Sequence, residues 1–215
     1  MNKEYTEIIN KLPSINVRIR HDIDGPEDIE PSFRILDVYR ELGLTATFYF
    51  LPNVSNNWPG FQALLNRVVQ EQLVGLHIDA GPFMPSGDGL NEYITKGVKW
   101  LHNPLTCSGH GSLESHKYGY SYEIWNHYEA ELNAGLNYNG KKYNLRKFGL
   151  YKDFSMLDPY HNYLGDSMGR WAYYTPSMGL PIPYEGNLPT TKNPMGLIDK
   201  WTKPLQILIH PRYSL

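Results

Sequence analysis

The chain has 215 residues, of which 41% are hydrophobic and 20% charged, and a net charge of −2. These are globular values that exclude a disordered chain and give no electrostatic case for nucleic acid or an anionic membrane as the partner. No apolar run reaches the length of a membrane span, and a single cysteine, Cys107, excludes an internal disulfide framework.

The opening stretch MNKEYTEIINKLPS lacks an apolar signal core, so a cytoplasmic location is expected, in keeping with the lone cysteine. Ile15–Ile23 reads as a first strand. Pro31-Ser32 opens a helix in which Ile35, Leu36, Tyr39 and Leu42 recur at helical spacing, and Gly43 ends it. Leu44–Leu51 is rich in β-formers and makes a second strand. Pro59-Gly60 starts a second helix with Phe61, Leu64, Leu65, Val68 and Val69 on one face. Leu73–Asp79 is a third strand. Leu90, Tyr93, Ile94, Val98 and Leu101 mark a third helix, and LTCSGHGS reads as a fourth strand running into a loop. The second half is less regular, rich in Gly, Pro, Asn and Tyr, and closes on LQILIHP, a strand stopped by Pro211. This tempo predicts βαβ units and parallel strands in one α/β domain over residues 1–215, a distorted or incomplete (β/α) barrel. The 17 Tyr and 5 Trp suit flat, partly polar ligands such as sugars, and equally suit surface packing.

Side chains alternate across a strand. Ile15, Val17, Ile19 and Ile23 share one face of the first strand with His21, which leaves Arg18, Arg20, Asp22 and Asp24 on the other. That charged face is expected to point into the barrel, with both aspartates at the C-terminal end, where barrel enzymes carry their sites. An Arg–Asp ion-pair layer is an equally ordinary use of these residues. The third strand places Gly75, His77 and Asp79 on one face; the fourth ends Ser108-Gly109-His110-Gly111-Ser112, and the last ends Leu208-Ile209-His210. Two Asp and three His at one end of four predicted strands point to a metal-hydrolase site, because carboxylate and imidazole suit Zn²⁺ or a similar divalent ion. Asp166 and Ser167 are candidate contacts, or else simply the capping residues of a turn. His102, His116, His127 and His161 read as structural or surface residues. There is no Gly-x-Ser-x-Gly elbow, and GPFMPSGDG lacks the Lys-Ser/Thr of a P-loop.

In their order and spacing, RHDID, TATFYF, VGLHID, CSGHGSLES and ILIHP resemble divergent members of the polysaccharide deacetylase (NodB-homology, carbohydrate esterase family 4) superfamily. YLGDSMGRW, Tyr163–Trp171, is similar to a Tyr-x-x-Asp-Ser-x-Gly-x-Trp element of such relatives. The resemblance implies a distorted (β/α)7-type barrel with parallel strands and a divalent metal, usually zinc. The implied activity is removal of an acetyl group from a carbohydrate such as a surface-polysaccharide or O-antigen precursor. It implies Asp22 as the catalytic base, His210 as the acid that protonates the leaving group, and Asp24 and His77 as metal ligands. Where the family has a second histidine four residues after the first, this chain has Gly81. His110 is the expected substitute ligand, with Asp79 next. Arg20, Asp79, Asp166 and Ser167 are expected to bind substrate or to support the residues that do, with Arg20 holding Asp22 ionised. A backbone N–H near Phe83 is the expected oxyanion donor. The expected partner is a carbohydrate, with no nucleic acid and no membrane span. A degenerate, non-catalytic carbohydrate-binding member of the same fold, or another barrel metal-hydrolase, stays open.

Overall fold

The computed structural model describes residues 1–52, 57–83, 89–111, 136–138, 141–143, 145–152, 160–178 and 188–214. Ser112, His116, His127 and residues 84–88 of the GPFMPSGDG loop lie outside them. In chain order the elements begin α1 (Lys3–Lys11), β1 (Val17–Ile23), α2 (Ile29–Leu42), β2 (Ala46–Phe50), α3 (Phe61–Glu71), β3 (Leu73–Ile78), α4 (Leu90–Trp100) and β4 (Thr106–Gly109). They continue β5 (Leu136–Tyr138), β6 (Lys141–Tyr143), β7 (Tyr151–Lys152), β8 (Asn162–Gly165) and β9 (Trp171–Tyr174). The last are β10 (Thr190–Thr191), α5 (Pro194–Ile198) and β11 (Leu205–Ile209). No helix among the described residues is long and apolar enough to cross a membrane.

The chain gathers into two compact units. The first comprises Met1–Phe48, Asn57–Leu73 and Phe154–Leu215, and the second Tyr49–Asn56 and Val74–Asp153, so the boundary runs through β2.

In the first unit the strand order is β10-β9-β8-β11-β1-β2. β11 pairs in parallel with both β1 and β8, while β8–β9 and β9–β10 are antiparallel. In the second unit β3, β4 and β7 pair in parallel, and β5–β6 is a separate antiparallel pair. The expectation of an all-parallel barrel is therefore corrected. The sheet of the first unit is mixed, with β10 at its edge among the described residues. The cause is local. Only a tight turn, with Gly169 at φ 71°, separates Gly165 from Trp171, and so short a connection returns a strand antiparallel rather than through a helical crossover.

The central strands are dry on both faces: every residue of β2 and β11 is buried, as parallel strands covered on both sides require. Tyr163, Ala172, Tyr174, Leu188 and Leu208 form one core cluster. α2 buries Ile29, Ile35, Leu36 and Tyr39, ends at Gly43 in the left-handed region (φ 66°), and packs against α3. Full burial of each such aliphatic or aromatic side chain is worth about 1.5–3 kcal/mol. α1 was not anticipated. Asn2 caps it by accepting the Tyr5 N–H, and Tyr5, Ile8 and Ile9 form its buried stripe. In the second unit Gly97 of α4 allows close helix–strand approach: a Cβ there would stand 2.8 Å from Leu76 Cδ1.

Candidate active site

The first unit builds an acidic cluster from strand register. His21 of β1 is paired with Ile209 of β11, and Leu208 with Gly165 of β8. Asp22, His210 and Asp166, each one residue further along its strand, therefore arrive at the same C-terminal edge. The charged face of β1 divides as it runs. Arg18 is exposed, whereas Arg20 and Asp22 are only 8% and 3% exposed. The guanidinium of Arg20 forks onto Asp22, Nε to Oδ1 at 2.6 Å and Nη2 to Oδ2 at 2.5 Å. Such bidentate, charge-assisted pairing favours an ionised carboxylate.

His210 lies between two acids. Its Nδ1 is 2.7 Å from Asp166 Oδ1 and its Nε2 is 3.3 Å from Asp24 Oδ2. A carboxylate oxygen only accepts, so this geometry favours a proton on each ring nitrogen. Burial works against that charge, but the Asp166 carboxylate, and then Asp24, outweigh it and hold the pKa well above the ordinary histidine value. Asp166 is itself buried, and its oxygens also accept the His210 backbone N–H (3.0 Å) and the Tyr5 hydroxyl (2.7 Å). Its side chain does not cap the turn at Ser167–Gly169, so here the capping use of the Asp-Ser pair gives way to the contact with His210. Ser167 opens that turn and its carbonyl accepts from Arg170 N.

No family model, curated protein or solved structure matches this chain.

The second unit supplies imidazoles. His77, on the inward face of β3, is 1% exposed, and its Nδ1 reaches the Ser108 hydroxyl (2.8 Å) and carbonyl (3.3 Å) on β4. A carbonyl only accepts, so this contact favours the proton on Nδ1, and Nε2 then carries the lone pair. Gly75, two residues earlier on the same face, makes room for the neighbouring ring: a Cβ there would sit 2.4 Å from Tyr49. His110 meets His77 edge-on with centroids 5.0 Å apart, and each offers a ring nitrogen within 4.8 Å of the other's. The His110 N–H donates to the Ile78 carbonyl, which pins the residue beside the end of β3. Asp79 turns back on its own loop: Oδ1 accepts the Gly81 N–H at 3.0 Å, while Oδ2 stands 3.6 Å from His110 Nδ1. Gly81 is thus engaged in forming a turn. Paired imidazoles, one oriented through its far nitrogen, are donor chemistry that fits a borderline divalent ion such as Zn²⁺. The N–H of Phe83 donates to Ala80 O within that turn, so the oxyanion donor expected there is already engaged.

Three residues of the first unit are not among those picked out in the sequence. Tyr5 comes from α1, packed on Trp171 (centroids 5.2 Å), whose Nε1–H donates to Glu4. Asp28 and Arg212 meet beside Asp24, across 184 positions of sequence. Only the helical spacing of Tyr5, Ile8, Ile9 and Leu12 pointed to one of them, by marking a helix with Tyr5 on its buried side.

Proposed function

We propose that this chain is a metal-dependent deacetylase that removes an acetyl group from a carbohydrate, of the surface-polysaccharide or O-antigen precursor class its motifs resemble. The observation that carries the reading is His210 set between the Asp166 and Asp24 carboxylates, on the strand paired with the one that carries Asp22 and its Arg20 fork. Hydrolysis of an amide or ester needs one group that takes a proton from water and one that gives a proton to the leaving group. Asp22, kept ionised by Arg20, takes the water proton as the oxygen adds to the acetyl carbon. His210 keeps its Nδ1 proton on Asp166 and donates the Nε2 proton to the departing sugar nitrogen or oxygen. The C–N or C–O bond then breaks, leaving acetate and the free sugar amine or hydroxyl. Asp166 acts through His210, fixing its ring and favouring its charged form. By the motif resemblance Asp24 and His77 would hold the ion, with His110 as the substitute ligand. A bound divalent ion would supply Lewis-acid polarisation of the acetyl carbonyl and acidification of water.

Metal analysis of the purified protein, followed by acetate release from N-acetylated sugar nucleotides, tests this reading. Stoichiometric zinc that is lost in Asp24→Ala and in His77→Ala, with acetate released only by the loaded wild type, is the expected result. Metal-free protein whose properties ignore chelators would overturn it, and zinc retained in His110→Ala would remove His110 from the ligand set.

A further inference from the structure

Arg212 lies outside every motif, yet it reaches three acids. Its Nη2 is 2.5 Å from Asp28 Oδ2 and 3.5 Å from Asp24 Oδ2. Its Nε and backbone N donate to Asp28 Oδ1 at 3.0 and 2.9 Å, and Nη1 is 2.6 Å from Glu27 Oε1. Asp28 is fully buried, and its Oδ2 also accepts the backbone N–H groups of Asp24 (2.9 Å) and Gly25 (3.0 Å). One carboxylate therefore ties the Pro211–Ser214 turn to the backbone that carries Asp24. The turn is anchored in its own right: Asn2 N donates to Ser214 O, Asn2 Nδ2 to Tyr213 O, and Ser214 Oγ to Pro211 O.

We propose that Arg212 is the positioning residue for Asp24: by clamping Asp28 it fixes the peptide from which the Asp24 carboxylate projects. The assignment of a metal to Asp24 rests on the deacetylase reading; the clamp does not. A fully buried carboxylate needs a cation and a full set of donors, since an unpaired buried charge is strongly unfavourable. The fork of arginine meets this need because Nε serves Oδ1 while Nη2 serves Oδ2 and still faces Asp24. A lysine offers one point charge and cannot hold both oxygens in that geometry. Oδ1 is thereby shared by the Arg212 Nε and backbone N, while Oδ2 is turned to the Asp24 and Gly25 N–H groups as well as to Nη2. Glu27, on the solvent side, meets the one Arg212 nitrogen that takes no part in the clamp.

The test uses the full chain, with Arg212→Lys compared with the wild type and with Glu27→Gln as control. Hydrogen exchange is read at the Asp24 and Gly25 amides, and zinc affinity by competition with a chelator. In Arg212→Lys the two amides are expected to exchange at least about tenfold faster while the β1 amides keep their protection. Zinc affinity is expected to fall about tenfold, the usual loss when a residue orienting a ligand is removed. Glu27→Gln leaves both readouts unchanged. If Arg212→Lys does not fold, Asp28→Asn with Arg212→Gln, which removes both charges together, is read in the same way. Unchanged exchange at Asp24 and Gly25 overturns the clamp. Faster exchange with undiminished zinc affinity overturns its link to Asp24. Should the wild type bind no zinc, the metal reading falls and the exchange result alone decides the clamp.

Discussion

His21 and His210 stand one step apart in the register of two paired strands, and they meet opposite fates. His21 points to the apolar side of β1. It is fully buried, its Nδ1–H donates to the Ile209 carbonyl (3.0 Å), its Nε2 accepts from the Tyr39 hydroxyl (2.9 Å), and Phe48 lies against its ring. Its hydrogen-bond partners are neutral, and burial, outweighing the Ile209 carbonyl and the Asp22 charge, pushes its pKa down to about 4. His210 is also largely out of water, but both of its nitrogens meet carboxylates and its pKa rises. Desolvation is common to the two; the charge of the partners decides the sign. A histidine near the end of a strand is therefore not in itself a functional residue. The face it takes, and what waits there, make the difference.

The largest effect is expected from Asp166→Asn. An amide in place of the carboxylate leaves the imidazolium without its nearest counter-charge, so the protein loses about 3 kcal/mol in urea denaturation below pH 6.5. The sign follows from the raised pKa. His210 contributes stability that is fully present below about pH 6.5, the unfolded value, and is lost as pH rises through the folded value. In the variant the His210 pKa is expected to fall, and on the proposed deacetylase reading the alkaline limb of the pH–rate profile moves to lower pH. An imidazolium signal in NMR titration that stays where it was would break the comparison.

His21 tests the other arm. A histidine whose folded pKa lies below the unfolded value gives stability that is present above about pH 6.5 and is lost as pH falls toward about 4. That lowering corresponds to about 3 kcal/mol. His21→Gln, which can still donate to the Ile209 carbonyl, is expected to be less stable at pH 7 but to show a flatter decline between pH 6.5 and 4.5. An unchanged slope in the variant would assign the acid sensitivity to other groups.

The same contrast explains what was legible in the sequence. Strict alternation in Val17–Ile23 separates His21 from Asp22, and helical spacing marks α2, α3 and α4 to within a few residues of their observed ends. Strands such as β8 and β9, four residues each among glycines and aromatics, carry too little period to be read, and with them went the antiparallel turn that makes the sheet mixed. Among the candidate residues, Asp22, Asp24, His77, His110 and His210 stand out because a charged or imidazole side chain interrupts a β-rich run. Asp166 was balanced between capping and contact, since nothing in Gly-Asp-Ser says that β11 lies alongside. Tyr5, Asp28 and Arg212 are ordinary residues until register and the docking of α1 bring their partners within 3 Å.

The smallest effect is the most discriminating. Tyr5 is buried and its hydroxyl pKa is raised, by burial first and then by the Asp166 charge, so it stays a neutral donor to that carboxylate. Tyr5→Phe removes one hydrogen bond and no volume of ring, which is expected to cost about 1–2 kcal/mol. With one donor fewer, the negative charge of Asp166 acts more fully on His210, so the His210 pKa should rise slightly where Asp166→Asn makes it fall. Two substitutions on the same carboxylate, one removing its charge and one removing a donor to it, thus move one histidine in opposite directions. A fall in both variants would mean that Tyr5 merely supports the packing of α1 against Trp171. A rise in Tyr5→Phe alone would show that the N-terminal helix reaches His210 through Asp166.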